Sequence, residues 1–145
     1  MKYSEEIKAL SLVMSKINSM SFRWAQEHNL NAYTVRVLYS LDGNESMTQR
    51  QICEVSGMPK QTVNNVIRTL QKEEMIKLVV LKSDKREKAV TLTEKGMRHL
   101  QDTLTPITEF ESGIIQRMGK ENYSYLLQYL TCYSKAMEQE IEIDL

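Results

Sequence analysis

The chain has 145 residues, and its 19 Lys and Arg balance 19 Asp and Glu to a formal net charge of zero. That length suits a single domain, with a core of its own or one shared with a second copy. Apolar residues at 41% and charged residues at 26% exclude a disordered chain. No apolar run approaches the roughly 18 residues of a membrane span, and the opening residues carry no apolar signal region, so the expected location is cytoplasmic and no membrane partner is expected.

Two prolines and five glycines leave room for long helices. Residues 5–27 predict the first, with Ile7, Leu10, Met14, Ile17 and Trp24 on one stripe. His28, Asn29, Leu30 and Asn31 break it. A second helix is predicted over residues 32–41, with Val35, Leu38 and Tyr39 facing inward, and Asp42, Gly43 and Asn44 make a turn. Thr48 and Gln51 have capping-box spacing and should open a short helix to about residue 55. Ser56, Gly57 and Met58 form the next turn. Pro59 suits the first position of a helix to about residue 73, whose buried stripe is Val63, Val66, Ile67 and Leu70.

The period then changes. Residues 76–81 and 87–92 are short and rich in β-branched side chains, which predicts a two-stranded hairpin around a charged loop at 82–86. Thr93 is a suitable N-cap for a long helix carrying Met97, Leu100, Leu104, Ile107, Ile114 and Met118 and continuing, kinked, through Pro106 to Gly119. A last helix is predicted over residues 121–141, with Leu126, Leu127, Leu130, Tyr133, Met137 and Ile141 on its stripe.

Short helix, three-residue turn, longer helix and hairpin together describe a winged helix-turn-helix. The expected architecture is mostly α with a small β-hairpin wing. It is one domain over residues 1–145, with a DNA-binding part at 32–93 and helical dimerisation parts at 1–31 and 94–145. The terminal stripes have no further layer to cover them in one small chain, which points to a homodimer.

Charge is unevenly spread. Residues 47–92 hold nine basic and five acidic residues, a balance of +4, so the flanks together carry −4. A basic module on a neutral scaffold is the footprint of a duplex-DNA partner. On the helix after Pro59, the side opposite the buried stripe holds Lys60, Gln61, Asn64, Asn65 and Arg68, with Thr62 beside them. Asn and Gln pair with adenine in the major groove, and Arg and Lys with guanine. The alternative is an ordinary solvated face, but such faces mix both signs, and this one has no acid before Glu73. Thr48 and Gln49, at the start of the preceding helix, are further candidates for the DNA surface. Lys82, Lys85, Arg86 and Lys88 crowd round Asp84 in the hairpin, where Asp84 could hold the Arg86 guanidinium by a forked contact. Placed directly after a helix-turn-helix, a basic hairpin reads as a wing against backbone or minor groove.

The runs LQKEEMIK over 70–77, DKR over 84–86 and VTLTEKG over 90–96 resemble the MarR family of bacterial transcription regulators. The resemblance extends over the whole chain. It implies a triangular homodimer with interlocked terminal helices, a repressor role on an inverted-repeat operator, a major-groove helix starting at Pro59, and Arg86 in the minor groove. Many members release DNA on binding a small organic ligand or on oxidation of a cysteine. By that resemblance Trp24, His28, Tyr33 and Tyr39 lie where family ligands bind, although their alternative is plain packing. One position departs: Glu74 stands where the family often has Gly at the end of this helix.

No catalytic motif stands out. His28 and His99 are isolated, and there is no phosphate-binding Gly loop, Gly-x-Ser-x-Gly elbow or His-Glu-x-x-His. No enzyme activity, cofactor or metal site is expected. Cys53 and Cys132 fit no paired spacing. Cys53 reads as a small buried hydrophobe, or as a redox sensor if Arg50, three residues away, lowers its pKa. A protein-interaction adaptor built on a winged helix is the remaining alternative.

Overall fold

The computed structural model describes residues 4–80 and 88–143, the side chains as far as Ile141. In chain order the elements are α1 (Ser4–Glu27), α2 (Ala32–Leu41), β1 (Met47–Thr48), α3 (Gln49–Ser56), α4 (Lys60–Lys72), β2 (Ile76–Val80), β3 (Lys88–Leu92), α5 (Glu94–Met118) and α6 (Lys120–Ile143). They fall into two compact units, Met1–Leu104 and Thr105–Leu145.

The core of the first unit is made by α2, α3, α4 and the sheet. Val37 and Leu38 of α2, Ile52 of α3, Val63 of α4 and Val90 of β3 are fully buried, and Leu41, Ile67, Leu70 and Ile76 nearly so. Each such side chain contributes up to about 1.5–3 kcal/mol by leaving water. The predicted stripe of α4 is the buried one: Val63, Val66, Ile67 and Leu70. That of α2 is rotated from expectation. Val37, Leu38 and Leu41 face the core, whereas Val35 is half-buried and Tyr39 exposed. Both faces of this helix are apolar enough to be buried, so periodicity alone does not select one.

The sheet has three antiparallel strands in the order β1–β3–β2, not the two expected. Met47 pairs with Val90 and Thr48 with Ala89 on one side of β3, while Ile76 pairs with Leu92 and Val80 with Lys88 on the other. A two-residue strand is too short to show alternation in sequence. Its effect is to make β3 central, and Ala89 and Val90 are both buried as a result. The hairpin tip at residues 82–86 lies outside the described residues.

The join between α4, the sheet and α5 is built from backbone carbonyls. Glu74, just past α4, has a left-handed backbone with φ of 59°. The next carbonyls then point at the start of α5. The Thr93 hydroxyl donates towards Glu74 O at 2.8 Å and Met75 O at 3.2 Å, and it accepts from the Gly96 amide at 3.0 Å as the N-cap of α5. The Thr93 amide donates to Met75 O at 3.0 Å, and Lys95 Nζ donates to Glu73 O at 2.7 Å. Gly96 permits this approach: a Cβ there would lie 1.8 Å from Met75 O. Gly96 therefore occupies the buried face where a Met97-led stripe was expected, and Met97 is 55% exposed. The α5 helix runs on through Pro106 as one element.

The apolar stripes of the terminal helices are exposed within one chain. On α1, Ile7, Leu10, Met14 and Ile17 are all exposed, and no α1 residue is buried. On α6, Leu126, Leu127, Leu130, Tyr133, Met137 and Ile141 are likewise exposed.

Candidate nucleic-acid interface

The α3–α4 pair forms from strong local signals. Thr48 Oγ1 accepts from the Gln51 amide at 3.2 Å and Gln51 Oε1 accepts from the Thr48 amide at 2.8 Å, which is the predicted capping box. Gly57 ends α3 with φ of 65° and ψ of 18°, a left-handed cap that is cheap for glycine alone. Pro59 stands one place earlier than expected. Its ψ of 144° keeps it outside α4 as the N-cap, where its carbonyl accepts from the Val63 amide at 3.1 Å. The missing N–H of proline costs nothing there.

With its apolar stripe buried, α4 turns Lys60, Gln61, Asn65 and Arg68 to water, and Thr62 and Asn64 are half-buried at the margins of that face. No acidic residue occurs among its 13 residues. Gln61 Nε2 donates to Asn65 Oδ1 at 3.1 Å across one helical turn. On α3, Gln49 is half-buried, and Arg50 pairs with Glu54 at 3.7 Å in an exposed ion pair.

Thr48 is the most buried of the described candidates. It was expected at the DNA surface, but it is only 7% exposed and its hydroxyl is taken by the Gln51 amide. Its hydroxyl caps the start of α3. Lys88 is exposed at the start of β3, opposite Val80. Lys82, Asp84, Lys85 and Arg86 lie outside the described residues. The contacts of Thr93 and Lys95 with the carbonyls of Glu73, Glu74 and Met75, just past α4, and the close approach at Gly96 were not anticipated from the sequence. The only sequence sign was a glycine in the first turn of a helix, where it costs stability unless something approaches closely.

Among the four candidate ligand residues, Trp24 and His28 are in direct contact. Their rings stack at a centroid separation of 4.1 Å with planes 24° apart, and His28 Nδ1 donates to Trp24 O at 2.8 Å. Tyr33 and Tyr39 are exposed and six residues apart on α2, so they project about 120° apart round the helix. Cys53 is half-buried and Cys132 exposed, both as free thiols. The Arg50 guanidinium, the cation invoked for Cys53, is the one engaged by Glu54. Among the described residues no group of three or more His, Cys, Asp or Glu could hold a metal, and no helix is long and apolar enough to cross a membrane.

A sequence profile described as "MarR family" matches residues 28–87, the segment that holds α2, α3, α4 and β2. The crystal structure of NMB1585, a MarR family regulator from Neisseria meningitidis, superposes with a TM-score of 0.78 at 26% identity, covering 97% of this chain and 99% of that one. Residues 28–87 are thus a MarR-family segment, carried on a fold shared with a MarR family regulator. The three-stranded sheet and the α3–α4 pair make the winged helix, and α1, α5 and α6 are the long helices that the sequence predicted before and after it in the chain. Two curated relatives are similar over shorter stretches. One is the HTH-type transcriptional regulator YwaE of Bacillus subtilis, 27% identical over 99 residues, which are 68% of this chain and 58% of that one. The other is the HTH-type transcriptional regulator PetP of Rhodobacter capsulatus, 31% identical over 74 residues, which are 51% and 45% of the two chains. The match thus spans about half the length of these relatives.

Proposed function

We propose that this chain is a sequence-specific, DNA-binding transcription regulator of the MarR family, acting as a repressor in the cytoplasm and not as an enzyme. A homodimer would read an inverted repeat, with one α4 in the major groove of each half-site. The observation that carries this reading is the outward face of α4. Lys60, Gln61, Asn65 and Arg68 are exposed together on an acid-free helix whose opposite side is locked into the core. The second helix of a helix-turn-helix is the element that enters the groove. Lys88 and the loop residues Lys82, Asp84, Lys85 and Arg86 are assigned to the wing contact.

Exposed apolar side chains along α1 and α6 support the homodimer, because contiguous apolar surface on a helix marks an interaction site. The Trp24–His28 stack supports a site for a small organic effector, since it offers an aromatic face beside a polar edge. Tyr33 and Tyr39 complete that assignment. An effector shifts the protein off DNA only by binding the two states unequally.

The test is binding to duplexes enriched from genomic fragments, followed by fluorescence anisotropy over a range of salt. Affinity should fall with a log–log slope of about −0.9 for each phosphate neutralised. A salt-independent response, or no duplex enriched at all, would favour the adaptor. Light scattering should give twice the 16.9 kDa chain mass. A monomer would remove the twofold reading.

A further inference from the structure

We propose that Gln61 and Asn65 work as one base-reading unit, in which Gln61 reads an adenine and Asn65 holds the Gln61 carboxamide in the reading orientation. This deepens the DNA-binding reading above and rests on it. Both residues are exposed on the outer face of α4, four residues apart and so one turn apart on the same side. Gln61 Nε2 donates to Asn65 Oδ1 at 3.1 Å.

The division of labour follows from what each amide has left and from its place along α4. A carboxamide carries one carbonyl oxygen with two lone pairs and two N–H donors. Gln61 has committed one N–H, so it keeps Oε1 and the second N–H. Adenine presents an N6 donor beside an N7 acceptor in the major groove, and that pair matches a carboxamide's acceptor and donor. Gln61 takes one of the two lone pairs of Asn65 Oδ1, so position along the helix divides the roles: Gln61 is the second residue of α4 and Asn65 the sixth, and the N-terminal residues of a recognition helix contact base edges. Gln61 is also the longer and more mobile of the two side chains, and fixing it before DNA arrives reduces the ordering cost at binding. Lys60 and Arg68, at the two ends of the same face, supply charge that needs no particular amide orientation.

The distinguishing consequence is positional. Independent readers would specify two base pairs, whereas a coupled unit specifies one. The full-length chain is used to select duplexes from a randomised pool, and each variant is compared position by position. The parent should select adenine at one position of each half-site. Gln61→Ala should abolish that preference and weaken binding to the selected duplex by roughly 5- to 150-fold. Asn65→Ala should relax the same position and no other. Asn65→Asp retains an acceptor for the Gln61 N–H, so it should keep the adenine preference while binding all duplexes more weakly through its added negative charge. A change at a different position in Asn65→Ala would overturn the proposal, as would an unaltered profile in Gln61→Ala. Rescue by Gln61→Glu but not by Asn65→Asp would reverse the two roles and overturn it too. Should the parent enrich no duplex, the DNA-binding reading fails first and the unit fails with it. That result is distinct from a parent that selects a site its variants read unchanged.

Discussion

Replacing Gly96 with alanine tests how α4 is fixed to α5. The added Cβ would sit 1.8 Å from Met75 O, 2.8 Å from Met75 C and 3.2 Å from Leu92 Cδ2. A tolerable carbon–oxygen approach is about 3.3 Å, so the backbone must move apart by about 1.5 Å. Overpacking of this kind costs about 1–3 kcal/mol. The movement also strains both hydrogen bonds that Thr93 makes to Met75 O, each with a net worth of about 0.5–1.5 kcal/mol. Alanine's better helix propensity offsets about 1 kcal/mol. The net expectation is destabilisation by about 3 kcal/mol, or about 6–12 °C in Tm. Gly113→Ala is the control in the same helix. Nothing lies within 4 Å of a Cβ built there, so it should be neutral or stabilise by up to about 1 kcal/mol. Far-UV circular dichroism melts at matched chain concentration provide the measurement, since a dimer's Tm depends on concentration. A Gly96→Ala variant that melts at or above the parent would refute the reasoning, because the close approach would then not exist.

Glu74→Gly should raise stability by up to about 1 kcal/mol in the same melts: removing the left-handed strain of about 1–2 kcal/mol outweighs glycine's extra chain entropy. Thr48→Ala should cost about 1 kcal/mol through loss of the cap and leave base preference unaltered, because the side chain is buried; an altered selected sequence would return Thr48 to the DNA surface. Arg86→Ala should keep fold and dimer and weaken operator binding by about 1–3 kcal/mol per wing, most on A·T-rich narrow minor grooves. Undiminished affinity in an anisotropy titration would remove the hairpin from the DNA-reading surface.

Much of the fold was written in short-range pattern. Helix order, the Thr48–Gln51 capping box, the Gly57 stop and the Val63, Val66, Ile67 and Leu70 stripe are properties of neighbours three or four residues apart, and a chain expresses them before it has a tertiary structure. The acid-free face of α4 followed directly, since burying one side of a helix determines the other. Three features depended on partners distant in sequence. The pairing of Met47 and Thr48 with Val90 and Ala89 made a third strand from two residues that carry no period. That placement drew Thr48 inside. The core chose Val37 and Leu41 over Val35 and Tyr39 on a helix with two apolar faces. The carbonyls of Glu73, Glu74 and Met75 met Thr93, Lys95 and Gly96 across some twenty residues of chain, so the need for a glycine at 96 came from a backbone that only folding brings near. Periodicity records which side of an element is apolar; which neighbour fills the space beside it is a long-range matter that packing alone resolves.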